Sequence, residues 1–273
     1  MAPDAESTAS RRIEFARLHD SGTLILPNAW DIGSALVLQS LGFQAVATTS
    51  SGFAAALGRH DQSVTLAELS VHVAHLCSAL EIPVSVDAEA GYSEETDGLN
   101  HTVAQLAAAG AAGISIEDFL PGRGVVGIDE ATVRVARFTN AAHEEGMVVT
   151  ARAENHLYGV GDLEDTISRL RAYREAGADV AYAPGLESTD DIARLVSEVE
   201  APVNVLMIPG GPTVSELSRI GVRRVSTGGA LAFAAYGALA AAGRELLEQG
   251  TYGFSSGSLT GEERIAAFGP DEG

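Results

Sequence analysis

At 273 residues, with 46% hydrophobic residues, 30 glycines and 9 prolines, the chain is long enough for one large core, too short for two comfortable domains, and composed like an α/β protein. Its formal net charge of -20 repels phosphate backbones and anionic lipid headgroups, which argues against nucleic acid and membrane surfaces as partners. Every basic side chain in the Lys+Arg count is Arg, and a chain without Lys cannot run Schiff-base, pyridoxal-phosphate or P-loop chemistry.

In chain order, the leader through Ser21 predicts one helix, Arg11 to Leu18. Short apolar runs then alternate with amphipathic stretches. Eight runs are legible: Leu24 to Pro27, Ala45 to Thr49, Val84 to Asp87, Gly113 to Glu117, Val148 to Arg152, Val180 to Pro184, Val203 to Met207, and Arg224 to Thr227. They lack polar alternation, as parallel strands do when helices cover both faces. Between them lie helical stripes such as Leu69, Val73, Leu76 and Leu80, with Cys77 beside them as a packing residue, and Leu163, Ile167, Leu170 and Tyr173. Ala109-Gly110-Ala111, Ala176-Gly177-Ala178 and Ile220-Gly221-Val222 each set a glycine where a left-handed helix C-cap belongs.

Eight such units favour a closed (β/α)₈ TIM barrel over an open doubly wound sheet. Residues 1–254 are expected to form that single domain, with the N-terminal helix plugging the barrel's bottom. The alanine-rich helix from Ala230 to Gln249 covers its own barrel or packs on a neighbouring subunit, and 255–273 is expected to be a flexible tail. The single Cys77 permits no internal disulfide, no run reaches roughly 18 consecutive apolar residues, and the N-terminus is acidic and small. The expected localisation is cytoplasmic.

Barrel chemistry sits at the C-terminal ends of strands, so polar groups closing apolar runs are the candidates. Asp87, Glu89 and Glu117 fall on adjacent strand ends, where they would repel one another without a cation. A hard divalent ion, Mg²⁺ with Mn²⁺ as the alternative, relieves that repulsion, and Asp61 can add a fourth acid. Arg152 ends an apolar strand, where its guanidinium either grips a substrate carboxylate or pairs with Glu154 or Glu117. Ser50, Ser51 and Gly52 offer hydroxyls and amides to an anionic oxygen. Asn204, inside the seventh run, makes either a substrate contact or a structural hydrogen bond. His60 and His156 read mainly as surface histidines.

Together, Leu26-Pro27-Asn28-Ala29-Trp30-Asp31, Thr49-Ser50-Ser51-Gly52, Val86-Asp87-Ala88-Glu89-Ala90-Gly91-Tyr92, Ile116-Glu117-Asp118, Ala151-Arg152-Ala153-Glu154 and Pro202-Val203-Asn204-Val205 resemble the isocitrate lyase and phosphoenolpyruvate mutase superfamily in order and spacing. The resemblance implies a barrel whose eighth helix is exchanged between subunits of a homodimer or homotetramer. It implies Asp87 as the direct magnesium ligand, with Glu89, Glu117 and Asp61 holding the ion's waters. Ser51, Gly52 and Arg152 would grip the carboxylate and oxo oxygens of a pyruvate-like enolate or its precursor.

The departures narrow the chemistry. The family's Asp-Thr-Gly-Tyr reads Glu89-Ala90-Gly91-Tyr92, and the lyases' Lys-Lys-Cys-Gly loop reads Phe119-Leu120-Pro121-Gly122-Arg123-Gly124. The mutases' Lys and Asn are absent from that loop as well. The expected activity is magnesium-assisted cleavage of a carbon–carbon bond next to the 2-oxo group of a small 2-oxo or 2-hydroxy dicarboxylate, as in oxaloacetate decarboxylation. Tyr92, His60 or a metal-bound water would supply the final proton. The alternatives are carbon–phosphorus chemistry, with Arg123 and Arg59 as the phosphonate contacts, and a metabolite-binding protein without turnover.

Overall fold

The computed structural model describes residues 4–93 and 98–270. The chain opens with α1 (Ala5–Arg17), then β1 (Leu24–Leu26), β2 (Asn28–Ala29), α2 (Ile32–Ser40), β3 (Val46–Thr48), α3 (Ser50–Ala56), α4 (Leu66–Ala79) and β4 (Val84–Asp87). It continues through α5 (Leu99–Ala108), β5 (Gly113–Glu117), a short hairpin β6 (Phe119–Leu120) and β7 (Gly124–Val125), α6 (Ile128–Glu144) and β8 (Val148–Arg152). The last units are α7 (Leu163–Glu175), β9 (Val180–Tyr182), α8 (Thr189–Val199), β10 (Val203–Leu206), α9 (Val214–Arg219), β11 (Arg224–Ser226), α10 (Ala230–Glu248) and α11 (Gly261–Phe268).

Nine strands form one parallel sheet in the order β1-β11-β10-β9-β8-β5-β4-β3-β2. β1 and β2 are two halves of one stave, separated at Pro27, which has no N–H to give to a ladder. Because β1 pairs with β11 and β2 pairs with β3, that stave joins the two ends and brings the sheet close to a closed barrel. All eight expected runs are staves. Asn28 fastens the seam at the top: its Oδ1 accepts from the N–H groups of Thr227 (2.9 Å) and Gly228 (2.8 Å), and its Nδ2 donates to the Thr48 carbonyl (2.6 Å).

The helices follow from their caps and apolar faces. Asp31 with Ser34, Thr65 with Glu68, and Thr213 with Glu216 form capping boxes that start α2, α4 and α9. The anticipated C-cap glycines adopt left-handed backbone, with φ of 97° at Gly110, 103° at Gly177 and 92° at Gly221. Below the barrel, α1 begins six residues earlier than its apolar pattern suggested. Its Phe15 packs with Leu24, Leu26, Ala45, Ala112, Val148 and Val180 in a core cluster of its own. Arg12 anchors it by donating to the carbonyls of Ala111 (3.0 Å), Ala107 (2.9 Å) and Glu145 (2.6 Å).

One outer element differs from expectation. The presumed loose tail contains a turn at Gly253–Gly257 and α11, started by a Thr260 and Glu263 capping box and packed against α2; residues 271–273 lie outside the described ones. Helix α10 leaves its apolar side chains uncovered, with Phe233, Leu239, Leu246 and Leu247 exposed and only Ala232 buried. By length and composition alone α10 is apolar enough to cross a bilayer, although its apolar residues do not form one unbroken run.

Candidate active site

A cavity of ≈ 160 Å³ opens at the C-terminal end of the staves and reaches down into the barrel. Ser50, Ser51, Asp61, Asp87 and Arg152 of the expected site residues line it. Asn28, Ser115, Tyr182 and Arg224 line it too, and were not expected.

Asp87 closes β4 and is held by donors on several sides. Its Oδ1 accepts from Arg152 Nη1 (2.9 Å) and, at 3.4 Å, from Ser115 Oγ, while Oδ2 accepts from the Ser50 amide at 3.2 Å. The Thr48 hydroxyl, on the next stave, accepts from the Asp87 amide at 2.9 Å and sets the strand end. Parallel register fixes Asp87 beside Ser115 and Glu117 beside Arg152.

Arg152 is where the site's charges meet. Its guanidinium contacts Asp87 (2.9 Å), Glu117 (3.2 Å) and Glu154 (2.8 Å), and stands 5.3 Å from the centre of the Tyr182 ring. Burial opposes the charge, but Glu154, Glu117 and Asp87 outweigh it and hold the guanidinium well above its usual pKa. The carboxylates move the other way. Burial first, and then neighbouring acids, push Glu117 and Glu154 above the usual carboxylate range despite the help of Arg152. Glu89 is raised to about 7 by burial and by the charge of Asp87.

The expected metal trio is thus arranged differently from three acids facing one point. Among the described residues no three His, Cys, Asp or Glu side chains stand in a metal-ligating group. Glu117 is buried against Arg152. Glu89, at a left-handed φ of 46°, accepts from the Tyr92 hydroxyl (3.1 Å), and both line a neighbouring cavity of ≈ 200 Å³ with Gln62, Leu120 and Pro121. Asp87 is the acid of the trio that faces the main cavity. The donor set still suits a hard divalent cation. It is all oxygen, and three acids, Asp87, Glu117 and Glu154, share the single guanidinium of Arg152.

The other candidates fall as follows. Ser51 lies at the rim, where its Oγ is 3.2 Å from the Thr49 hydroxyl. Gly52 is behind it, and its amide donates to Thr49 Oγ1 as a helix cap. A Cβ on Gly52 would meet Thr49 at 2.6 Å and Trp30 at 3.0 Å, so close packing explains this glycine. Asn204 is buried beneath the cavity: its Nδ2 donates to Ser226 Oγ (3.0 Å) and its Oδ1 accepts from Arg224 Nε (2.9 Å). Of the two readings of Asn204, this is the structural hydrogen bond. His60 is exposed, and neither His60, His156 nor Tyr92 lines the main cavity. Arg123 pairs with Glu130 and Arg59 with Glu68, both on the exposed surface. Asp118 is structural: it accepts from Arg169 (3.0 Å), Tyr173 (2.7 Å) and the Glu154 amide (2.8 Å), tying β5 to α7.

Comparison with known proteins gives a consistent result. The family model described as phosphoenolpyruvate phosphomutase matches residues 15–247. An uncharacterized protein of Mycobacterium tuberculosis is 36% identical over 79% of this chain and 82% of its own length. Oxaloacetate decarboxylase of Paraburkholderia xenovorans is 29% identical over 80% of this chain and 75% of its own. Among solved structures, a candidate lyase/mutase of Burkholderia cenocepacia superposes with a TM-score of 0.90 at 42% identity, covering 94% of this chain and 95% of that one.

Proposed function

The chain belongs to the phosphoenolpyruvate mutase/isocitrate lyase superfamily, and from that premise we propose that it cleaves a carbon–carbon bond next to the 2-oxo group of a small dicarboxylate, as an oxaloacetate decarboxylase does. The observation that carries this reading is the oxygen-rich cavity holding Asp87 and Arg152 beside the Ser50 and Ser51 hydroxyls. Magnesium, or manganese in its place, would be held directly by Asp87, with Glu89 and Glu117 adding charge and Asp61 standing at the mouth. Such an ion, once bound, would supply Lewis-acid stabilisation of negative charge developing on the substrate's 2-oxo oxygen.

The chain's own groups do the rest. Arg152 keeps Asp87, Glu117 and Glu154 in register and stacks on Tyr182, so the carboxylate facing the substrate needs no rearrangement during the reaction. Ser50 and Ser51 orient the substrate's oxygens, and Leu26, Val86, Pro184 and Leu206 exclude water from the walls. In oxaloacetate the bond between C3 and the distal carboxyl breaks, carbon dioxide leaves, its electron pair enters the C2–C3 enolate, and C3 takes a proton to give pyruvate. With Tyr92 and His60 outside the cavity, water entering past Asp61 and Leu157 delivers that proton.

The phosphonate alternative is disfavoured, because both arginines proposed to contact phosphonate are spent in surface ion pairs away from the cavity. The exposed apolar face of α10 supports exchange of this helix between subunits of a homodimer or homotetramer. The test is a pyruvate-release screen over oxaloacetate, substituted malates and phosphonopyruvate, with and without magnesium. Magnesium-dependent pyruvate from a dicarboxylate is expected. Phosphate from phosphonopyruvate, or oxalate binding with no turnover of any compound, would contradict it.

A further inference from the structure

Arg152 and Arg224 are the two cationic side chains lining the main cavity among the described residues, and their surroundings are opposite. Arg152 is neutralised by Asp87, Glu117 and Glu154. It has little positive charge left for an anionic ligand. Arg224 opens β11 and projects into the barrel, where it is only 5% exposed. Its Nε donates to Asn204 Oδ1 at 2.9 Å, while its Nη1 is buried with no hydrogen-bond partner. Among the described residues no carboxylate acts on it: after burial, its pKa responds to Tyr182 and to the like charge of Arg152. Burial pushes it down to about 10, so it stays charged at neutral pH.

A buried guanidinium without a counter-ion is costly, and its remaining donors call for an anion. The surrounding groups are built to hold it still. Asn204 turns its oxygen to Arg224 and its nitrogen to Ser226, and the Tyr182 ring lies under Arg152. The Tyr182 phenol is pushed up to about 12, chiefly by burial, so it remains neutral at physiological pH and adds no negative charge. Ser85 and Ser115 add hydroxyls to the same cavity lining, Ser115 in register with Asp87.

We propose that Arg224 is the specificity-determining anchor for a second anionic group of the substrate, binding a carboxylate that reaches below the level of Asp87 while the 2-oxo acid end sits at the mouth. This rests on the reading of the cavity as a 2-oxo acid site and names the residue that recognises the distal carboxylate; in oxaloacetate that group is the one lost as carbon dioxide, so Arg224 acts on binding and not on the bond-breaking step. Asn204 is a positioning residue that acts through Arg224.

The test is calorimetric titration, in magnesium, of wild type, R224K and R224Q with oxalate, which lacks a distal group, and with malate, which has one. Losing a charge-assisted hydrogen bond predicts that R224Q weakens malate by about 10- to 100-fold and leaves oxalate within about twofold, with R224K intermediate. Folded R224Q that binds malate as well as wild type does would overturn the proposal and assign Arg224 to barrel packing. If R224Q does not fold, R224K decides, because a loss confined to malate supports the anchor and unchanged malate binding overturns it. Wild type that binds oxalate but not malate sinks the anchor while sparing the 2-oxo acid site. Wild type that binds neither sinks both.

Discussion

At the scale of single residues, Arg152 explains how several acids share one small space. Three carboxylates contact it, and burial, with the neighbouring acids, still holds the carboxyls of Glu117 and Glu154 above their usual range. Of the three, Asp87 is the one that lines the main cavity, so Asp87→Ala should lower turnover by more than about 100-fold with an unchanged circular dichroism spectrum, the scale seen when a preorganised electrostatic group is removed. Steady-state rates on the substrate found in the screen check this. Cys77 is a contrasting case: it is buried, and burial pushes its thiol up to about 12. Cys77→Ser should therefore keep the rate within about twofold, and iodoacetamide should leave the native thiol unmodified.

The strand-end acids were legible because a carboxylate closing an apolar run has no packing reason to be there. Arg224 was not, because it stands at the start of its run, where a polar residue looks ordinary. Its signal was alternation. Arg224 and Ser226 point to the same side of β11, and Arg224 is in register with the buried Asn204. Whether Glu89 and Glu117 face the same point as Asp87 depends on rotamers that strand spacing does not specify.

At the scale of elements, α1 is the plug of the barrel, and Gly113 is the place where it closes. A Cβ there would stand 2.5 Å from the Phe15 ring. Phe15→Ala should destabilise the fold by roughly 3–5 kcal/mol, read by urea denaturation, because the barrel floor cannot collapse into the space. Next to it, His19 is buried, with Nδ1 2.8 Å from the Phe15 carbonyl oxygen, and its pKa is pushed down to about 4, first by burial and then by Arg224. A depressed histidine is neutral in the fold, so its contribution is fully present above the unfolded value of 6.5 and is lost as pH falls towards 4. The expected loss is on the order of 3 kcal/mol at most. His72 is pushed down to about 4 by burial as well, so His19→Gln should reduce the fall in the urea midpoint between pH 7 and pH 5 without abolishing it. The helix α11 was written in the sequence as a Thr260 and Glu263 box, but its brief apolar content gave no sign that it would pack on α2.

At the scale of the whole molecule, repetition was the strongest signal: eight apolar runs became eight staves, because a buried parallel strand needs nothing else to declare it. The role of α10 was less legible, since an alanine-rich helix suits its own barrel or a neighbour's equally well. Its uncovered Phe233, Leu239 and Leu247 predict a dimer or tetramer by light scattering, dissociated by Leu239→Asp together with Phe233→Asp. The claim on which the proposed chemistry depends is that the acids at the barrel mouth hold a divalent ion through Asp87. Titration of the protein with Mn²⁺, followed by loss of the free ion's electron paramagnetic resonance signal, tests it without reference to turnover. One bound Mn²⁺ per chain is expected, displaced by excess Mg²⁺ and absent from Asp87→Ala; equal binding by that variant, or none by the wild type, would contradict the metal site.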